Sequence, residues 1–405
     1  MKRYWLSILL APLIVAGVGS YYVQAAANRL PEFVLQQQSG DGRAADGVTL
    51  RGSYGNREMR ETVSIDAQGS EYSRERHLFQ KLGIDWSGTQ LGSLIESYPQ
   101  FMRGKREIRS LYEDDARVAY ANVERNKEAN KRNFRFAVSV LDKKQQRTVS
   151  YEAAVPDGER YELILVNDVL AAGEQLKVVT VNYLKNKPAE IHMYTLGLQS
   201  GQTPADRTLP YDNTGTPGIE TVLKPQTISK PMGPGKYAVV YAALVKKIQD
   251  ARGGYRSDEV GGRLFVYDVE SGREVKVDSK EIGDFLSGSR EGLMQIEVAG
   301  DSIFFAKSNK QTGQEIKAIQ YDIAAAKSAV YSLHPGSKPR SMEIKGGRLY
   351  MVTGSDKDGP HSPSLLIADM KTGSTIYEGK IALAEPDRYP EETLDNLDIY
   401  SLSVK

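Results

Sequence analysis

Short apolar runs that end in a polar residue, usually Asp, and then a turn recur along this chain. The six terminal residues are Asp66, Asp142, Thr195, Asp268, Asp322 and Asp369. Their spacing is about 50 residues with two longer intervals, and such a period of strand-like units is typical of a β-propeller, in which each repeat is one blade. The sequence therefore predicts an all-β chain dominated by one repeat domain.

The final repeat shows the unit best. Four strand-like segments follow one another at residues 341–344, 348–352, 364–369 and 374–378. Lys345-Gly346-Gly347 joins the first two, and Lys371-Thr372-Gly373 joins the last two. Glycine readily adopts the positive φ that tight hairpin turns require. We call the four strands of each unit A to D.

The two ends of the chain complete the predicted ring. Residues 48–54 have the character of a B strand, and residues 398–404 form a last strand with no D strand after it. If this last strand supplies strand A of the first blade, no blade edge is left open to aggregation. We expect a six-bladed β-propeller over residues 48–405, closed by the C-terminal strand. The alternative is a pair of unrelated β-sandwiches.

In a four-stranded meander the A–B and C–D turns lie on one face, here called the turn face. The B–C and D–A connections lie on the other, the loop face. The predicted insertions fall on the loop face, at residues 68–105, 124–132, 201–235, 246–261 and 354–363. Residues 68–105 are predicted to be partly helical, either capping the channel or filling a blade edge. Because variable loops on a rigid scaffold tend to carry function, we expect ligand binding there.

The amino-terminal segment predicts a membrane anchor. Lys2 and Arg3 precede an uncharged stretch from Tyr4 to Ala27, close to the roughly 20 residues that span a bilayer. The basic residues place the short amino terminus inside and the rest outside. We expect a single-pass cell-membrane protein with residues 1–27 as a transmembrane signal-anchor and residues 28–47 as a stalk leaving from the turn face. The alternative is a signal peptide cleaved near Ala27, with release of the chain.

Composition narrows the functional classes. Basic and acidic residues number 53 and 52, so no overall field favours nucleic acid. The absence of cysteine excludes disulfides, thiolate metal sites and a Cys nucleophile. The four histidines, His77, His192, His334 and His361, have no sequence neighbours at metal-ligand spacing. We therefore expect neither a metal nor a cofactor.

The candidate binding residues are basic and lie in two predicted B–C loops. One loop contributes Lys246, Lys247, Arg252, Tyr255 and Arg256, and the other contributes Lys127, Lys131 and Arg132. Such a group could clamp an anionic wall polymer or an acidic patch of an envelope protein. The alternative is a solvated, flexible loop.

Two hairpins carry a family resemblance. Tyr267-Asp268-Val269-Glu270-Ser271-Gly272 and Ala368-Asp369-Met370-Lys371-Thr372-Gly373 resemble the C–D hairpins of bacterial extracytoplasmic propellers of the YVTN, TolB and quinoprotein types. Quinoprotein repeats usually carry a Trp soon after the Gly, whereas the two tryptophans here are Trp5 and Trp86. The resemblance implies a propeller of the bacterial envelope without the quinone cofactor.

These observations favour a membrane-anchored, extracytoplasmic binding, sensory or regulatory module that takes a protein or envelope ligand on its loop face. The alternative is an extracytoplasmic hydrolase or lyase with a carboxylate and His site at the propeller channel. An enzyme of that kind needs acidic and histidine side chains to converge on the channel.

Overall fold

A computed structural model describes residues 30–404 except for segments 56–59, 76–88, 126–132, 200–202, 214–216, 226–227, 230–231, 250–253, 288–291, 310–314 and 354–361. The predicted membrane or signal segment 1–27 lies outside the described residues. So do Lys127, Lys131, Arg132 and Arg252 of the predicted binding group. Among the described helices, none has the length and apolar character needed to span a bilayer.

The described residues are mainly β-strands. In the first half of the chain these are β1 (Phe33–Gly40), β2 (Val48–Gly55), β3 (Arg60–Asp66), β4 (Gly69–Tyr72), β5 (Leu111–Glu113), β6 (Arg117–Arg125), β7 (Phe134–Asp142), β8 (Arg147–Ala154), β9 (Tyr161–Ala172), β10 (Gln175–Leu184), β11 (Glu190–Gly197) and β12 (Ala205–Leu209). In the second half they are β13 (Ile219–Leu223), β14 (Tyr237–Gln249), β15 (Tyr255–Asp268), β16 (Glu274–Val275), β17 (Met294–Ala299), β18 (Ser302–Ser308), β19 (Ile316–Asp322), β20 (Lys327–Leu333), β21 (Pro339–Lys345), β22 (Arg348–Thr353), β23 (Ser364–Asp369), β24 (Thr375–Leu383) and β25 (Leu397–Val404). The α-helices are α1 (Gln90–Ser97), α2 (Pro99–Met102) and α3 (Lys280–Leu286).

The strands form six antiparallel sheets, which we call blades. Blade 1 has the order β25-β2-β3-β4, blade 2 β5 to β8, blade 3 β9 to β12, blade 4 β13 to β16, blade 5 β17 to β20, and blade 6 β21 to β24 with β1 added outside. The predicted closure is confirmed, because β25 pairs with β2 from Val404 opposite Val48 to Leu397 opposite Tyr54.

The apolar cores lie between neighbouring blades. Separate clusters of buried side chains join blades 2 and 3, 3 and 4, 4 and 5, 5 and 6, and 6 and 1. At the remaining junction, α1 and α2 pack on blade 2 through Leu91, Leu94 and Phe101, and no cluster of described residues spans blades 1 and 2. First strands contact one another between blades 2 and 3, blades 5 and 6, and blades 6 and 1. This architecture is consistent with a six-bladed propeller whose A strands surround the centre.

Several predicted insertions contain strands. The predicted helical insertion 68–105 begins with β4 and a 3-10 turn at Ser73–Glu75, and its described α-helices lie between residues 90 and 102. The predicted insertion 201–235 contains β12 and β13. In β12 only Leu209 is buried. A short, mostly exposed strand lacks the alternation of apolar residues that identifies strands in a sequence.

The predicted stalk is also wrong over its central part, because β1 pairs along β24 from Phe33 opposite Leu383 to Gly40 opposite Tyr377. Phe33 is fully buried in the core between blades 6 and 1, whereas Gln36 is exposed. A polar strand is tolerated at this position because it covers the outer edge of a sheet. Since β24 ends on the loop face, the chain enters the propeller there and not on the turn face.

If β1 is part of the folded domain, Phe33→Ala should lower the free energy of unfolding by about 3–5 kcal/mol, as for other buried Phe truncations. Chemical denaturation of the full chain checks this, with Gln36→Ala as the control on the same strand. A loss in Phe33→Ala no larger than in the control would show that residues 33–40 are dispensable for the fold.

Candidate functional site

The predicted basic loop is a β-hairpin. Strands β14 and β15 pair along their whole length, from Tyr237 opposite Asp268 to Gln249 opposite Tyr255. The neighbouring strand β13 pairs with β14 only as far as Lys246, which lies opposite Ile219. The hairpin therefore extends beyond blade 4 on the loop face.

Ion pairs compensate two of the predicted binding cations. The Lys247 ammonium lies 2.8 Å from a Glu220 carboxylate oxygen, and the Arg256 guanidinium lies 3.1 Å from Asp258. Exposed pairs of this kind add little stability, but they reduce the charge available to a ligand. Lys246 is exposed and takes part in none of the ion pairs found among the described residues.

A cleft of about 580 Å³ opens between blades 3 and 4 on the loop face; we call it the 3–4 cleft. Its walls are the B–C loop of blade 3, with Asn186 and Lys187, the D–A segment at Asn213, and strand β13. Its volume is within the range of about 300–1,000 Å³ typical of ligand sites. Lys246 flanks the cleft, because its register position opposite Ile219 places it on the same face of the sheet as Thr221.

The polar groups of the 3–4 cleft have unused binding capacity. The Thr221 hydroxyl is buried and has no hydrogen-bond partner among the residues that the structure describes. Buried polar atoms are normally paired, so this hydroxyl marks a place for a hydrogen-bonding group. Lys187 is exposed and, like Lys246, has no ion pair among the described residues. Within the described part of the chain, the cleft therefore has one ammonium group in its lining and one beside it that no acidic side chain compensates.

A second cavity, of about 210 Å³, lies at the centre of the turn face; we call it the central pocket. It is lined by Glu297 of β17, Glu343 and Lys345 of β21, and Ser403 of β25, together with residues from the segments before β5 and β14 and the start of α1. The Glu297 carboxylate is only 1% exposed and accepts hydrogen bonds from the amides of Gly346 at 2.9 Å and Gly347 at 3.2 Å.

Sequence alternation brings Glu343 and Lys345 to this pocket. Met342 and Ile344 lie in the core between blades 5 and 6, so the residues between them face the other way. Burial raises the pKa of Glu343 to about 7, although nearby Lys345 acts to lower it. Burial also lowers the pKa of Lys345, whose ammonium donates to the Val404 carbonyl at 2.7 Å. Burial raises the pKa of Glu297 as well, against the effect of its two amide donors.

The structure does not bring a described histidine to the central pocket. His192 lies in blade 3, where it is 2% exposed. Its Nδ1 lies 2.8 Å from an Asp206 oxygen, and its Nε2 lies 3.0 Å from a Glu190 oxygen. Burial lowers the pKa of His192, but hydrogen bonds to the two carboxylates outweigh this effect and raise the pKa overall. Because its partners are internal, we interpret this cluster as structural.

The sequence predicted Lys246 as a binding residue but not Lys187 or Thr221 of the cleft, nor Glu297, Glu343 or Lys345 of the central pocket. A signal existed for the residues of β21, since Glu343 and Lys345 alternate with apolar residues in a predicted strand. No such signal was available for Lys187 and Thr221, because the two blades that form their cleft come together only in the folded ring.

No protein-family model matches the chain, and no curated protein matches it. Similar solved structures include the WD40 domain of SCAP from fission yeast, with 7% identity, a TM-score of 0.32, and 67% of this chain and 68% of that chain covered. Pyrococcus horikoshii acylaminoacyl peptidase has 11% identity, a TM-score of 0.33, and coverage of 66% and 38%. The computationally designed Ika8 protein has 11% identity, a TM-score of 0.28, and coverage of 67% and 60%. The chain thus spans well under two thirds of the length of the peptidase. The order of the strands in each sheet and the apolar cores between the blades define the fold.

The ionisation of Glu343 should make stability depend on pH. Its folded pKa of about 7 lies above the ordinary value of 4.5, so the neutral acid is favoured on folding and stability falls as pH rises through 7. Glu343→Gln should match the wild type near pH 4.5 and exceed its free energy of unfolding near pH 8 by on the order of 2 kcal/mol. Denaturation at both pH values checks this, with exposed Glu378→Gln as the control. A variant less stable than the wild type at the higher pH would contradict it.

The His192 cluster should show its own pH dependence. Since its folded pKa is raised above 6.5, its charged form stabilises the fold fully below that pH, and this stability is lost as pH rises through the folded pKa. The loss of unfolding free energy in His192→Gln should therefore be larger near pH 6 than near pH 9. A loss that grows with pH would show that the imidazole is neutral in the folded protein.

Proposed function

We propose that this chain is a membrane-anchored, extracytoplasmic binding module whose ligand is an anionic polymer of the cell envelope. The observation that carries the proposal is the 3–4 cleft, which is lined by Lys187 and flanked by Lys246 on the adjacent strand β14, with neither lysine ion-paired among the described residues. The basic residues and uncharged stretch of segment 1–27 support the membrane anchor.

The groups of the cleft suit a repeating anion on a polar backbone. The two ammonium groups would pair with phosphates or carboxylates, while Asn186, Asn213 and the Thr221 hydroxyl would hydrogen-bond to polar groups between them. One wall is strand β13, which is paired along its length with β14. A wall held in a sheet needs little ordering when a ligand binds, and this limits the entropy cost.

The central pocket favours a second candidate, a hydrolase or lyase. Glu343, with a pKa of about 7, could exchange protons with a substrate at neutral pH. Glu297 could not move readily, because two amides hold its carboxylate. At about 210 Å³ this pocket is small, so such an activity would concern a small substrate and not a polymer.

Reversing both lysine charges should abolish most polymer binding. We expect Lys187→Glu combined with Lys246→Glu to weaken binding of poly(glycerol phosphate) to the full chain in detergent at least about tenfold, since each reversal replaces attraction with repulsion. The wild-type affinity should also fall as salt is added. Titration calorimetry at low and high salt measures both effects.

The matched control is Lys144→Glu combined with Lys371→Glu, which makes the same charge change at exposed positions on the turn face. Glu343→Gln is a second control, because it alters the central pocket alone. Equal losses in the cleft variant and the lysine control would assign binding to net charge and reject the cleft. A loss confined to Glu343→Gln would favour the central pocket.

A further inference from the structure

We infer that the loop face lies next to the membrane, so that the 3–4 cleft opens toward the outer surface of the bilayer and the central pocket points away from it. The inference rests on the membrane anchor of the proposed function. It reverses the orientation expected from the sequence, in which the stalk leaves from the turn face.

The first step is the way the chain is fastened before β1. The Pro31 carbonyl accepts a hydrogen bond of 2.6 Å from the Tyr72 hydroxyl, and the Glu32 carbonyl accepts one of 2.9 Å from the Ala384 amide. The Phe33 amide donates to the Ser70 hydroxyl at 2.9 Å. Since β4 belongs to blade 1 and Ala384 follows the last strand of blade 6, these bonds fix the chain at the junction of the two blades, on the loop face.

The second step is the length of chain that remains. Only Asn28, Arg29 and Leu30 separate Ala27, the end of the uncharged stretch, from Pro31. Three residues between two fixed points span at most about 14 Å. Leu30 also packs against the core between blades 6 and 1, which shortens the free length further.

The third step compares this reach with the thickness of the propeller. Strand β24 has nine residues and is therefore about 30 Å long. Turning the propeller over would place that thickness between the bilayer and Pro31, which the short connection cannot bridge. The loop face is therefore the side that the anchor holds near the membrane.

The 3–4 cleft lies on the side of the loop face opposite to the anchored junction. In a ring of six blades, the junction of blades 3 and 4 lies across from the junction of blades 6 and 1. The anchor would hold one side of the loop face, and the cleft with Lys187 and Lys246 would meet anionic groups at the membrane surface on the opposite side. The ligand of the proposed function is then one that is presented close to the bilayer.

The absence of cysteine from the chain makes a direct test possible. Four single-cysteine variants of the full chain are labelled with a fluorophore and reconstituted in vesicles of phosphatidylcholine and phosphatidylglycerol containing nitroxide-headgroup lipid. Asp387→Cys and Lys185→Cys lie on the loop face of blades 6 and 3, and Lys371→Cys and Glu174→Cys lie on the turn face of the same blades. All four side chains are exposed, so the fold should tolerate them, and thermal unfolding verifies this.

Strand β10, which separates positions 185 and 174, is about 33 Å long, so quenching at each loop-face site should exceed quenching at its turn-face partner at least about twofold. Stronger quenching at the turn-face sites, or quenching at Asp387→Cys without any at Lys185→Cys, would overturn the inference. Flotation of the vesicles after alkaline washing tests separately whether the protein is anchored in the membrane. Loss of the protein from the vesicles in that assay would reject the membrane anchor itself, and the orientation with it.

Discussion

The antiparallel pairing of β25 with β2 is the interaction on which the rest of the structure depends. It joins strands about 350 residues apart in sequence into one sheet, a costly long-range contact that blades 2 to 5 do not need. It also brings Ser403 to the central pocket and completes the core against which Phe33 packs. Hydrogen bonds of residues 31–33 hold the start of the described chain at the nearby junction of blades 6 and 1. Ring closure and the lining of the central pocket thus both depend on this pairing.

The distribution of unsatisfied polar groups separates structural from functional candidates. The His192 cluster is buried, and its imidazole has partners on both nitrogens. In contrast, the buried Thr221 and Ser403 hydroxyls find no partner in the described parts of the chain, and each residue lines a cavity. The central pocket also keeps Glu343 and Lys345 in surroundings that oppose their charges. Such groups lower stability, so their presence is better explained by a ligand than by the fold.

Much of the fold could be predicted because its strongest signals are local. The Gly-containing hairpin turns and the alternation in β17 to β23 identified blades 5 and 6, and the unmatched last strand identified the closure. Strand β1 was missed because an edge strand with one buried residue, Phe33, has no alternating pattern. In the candidate site, Lys246 was predicted. The sequence could not predict that, within the described ranges, Lys247 is ion-paired while Lys246 is not. That difference depends on Glu220, which reaches the hairpin only through the pairing of β13 with β14.

Hydrogen–deuterium exchange of the full chain, with and without poly(glycerol phosphate), most directly tests the claim that the 3–4 cleft is the ligand site. Amide exchange reports local opening, and a bound ligand slows it where it contacts the protein. Slower exchange should be confined to the walls of the cleft, which are residues 185–189, the segment at Asn213 and strand β13. Slower exchange around residues 343–347 instead, or none anywhere at saturating polymer, would contradict the assignment of the ligand site to this cleft.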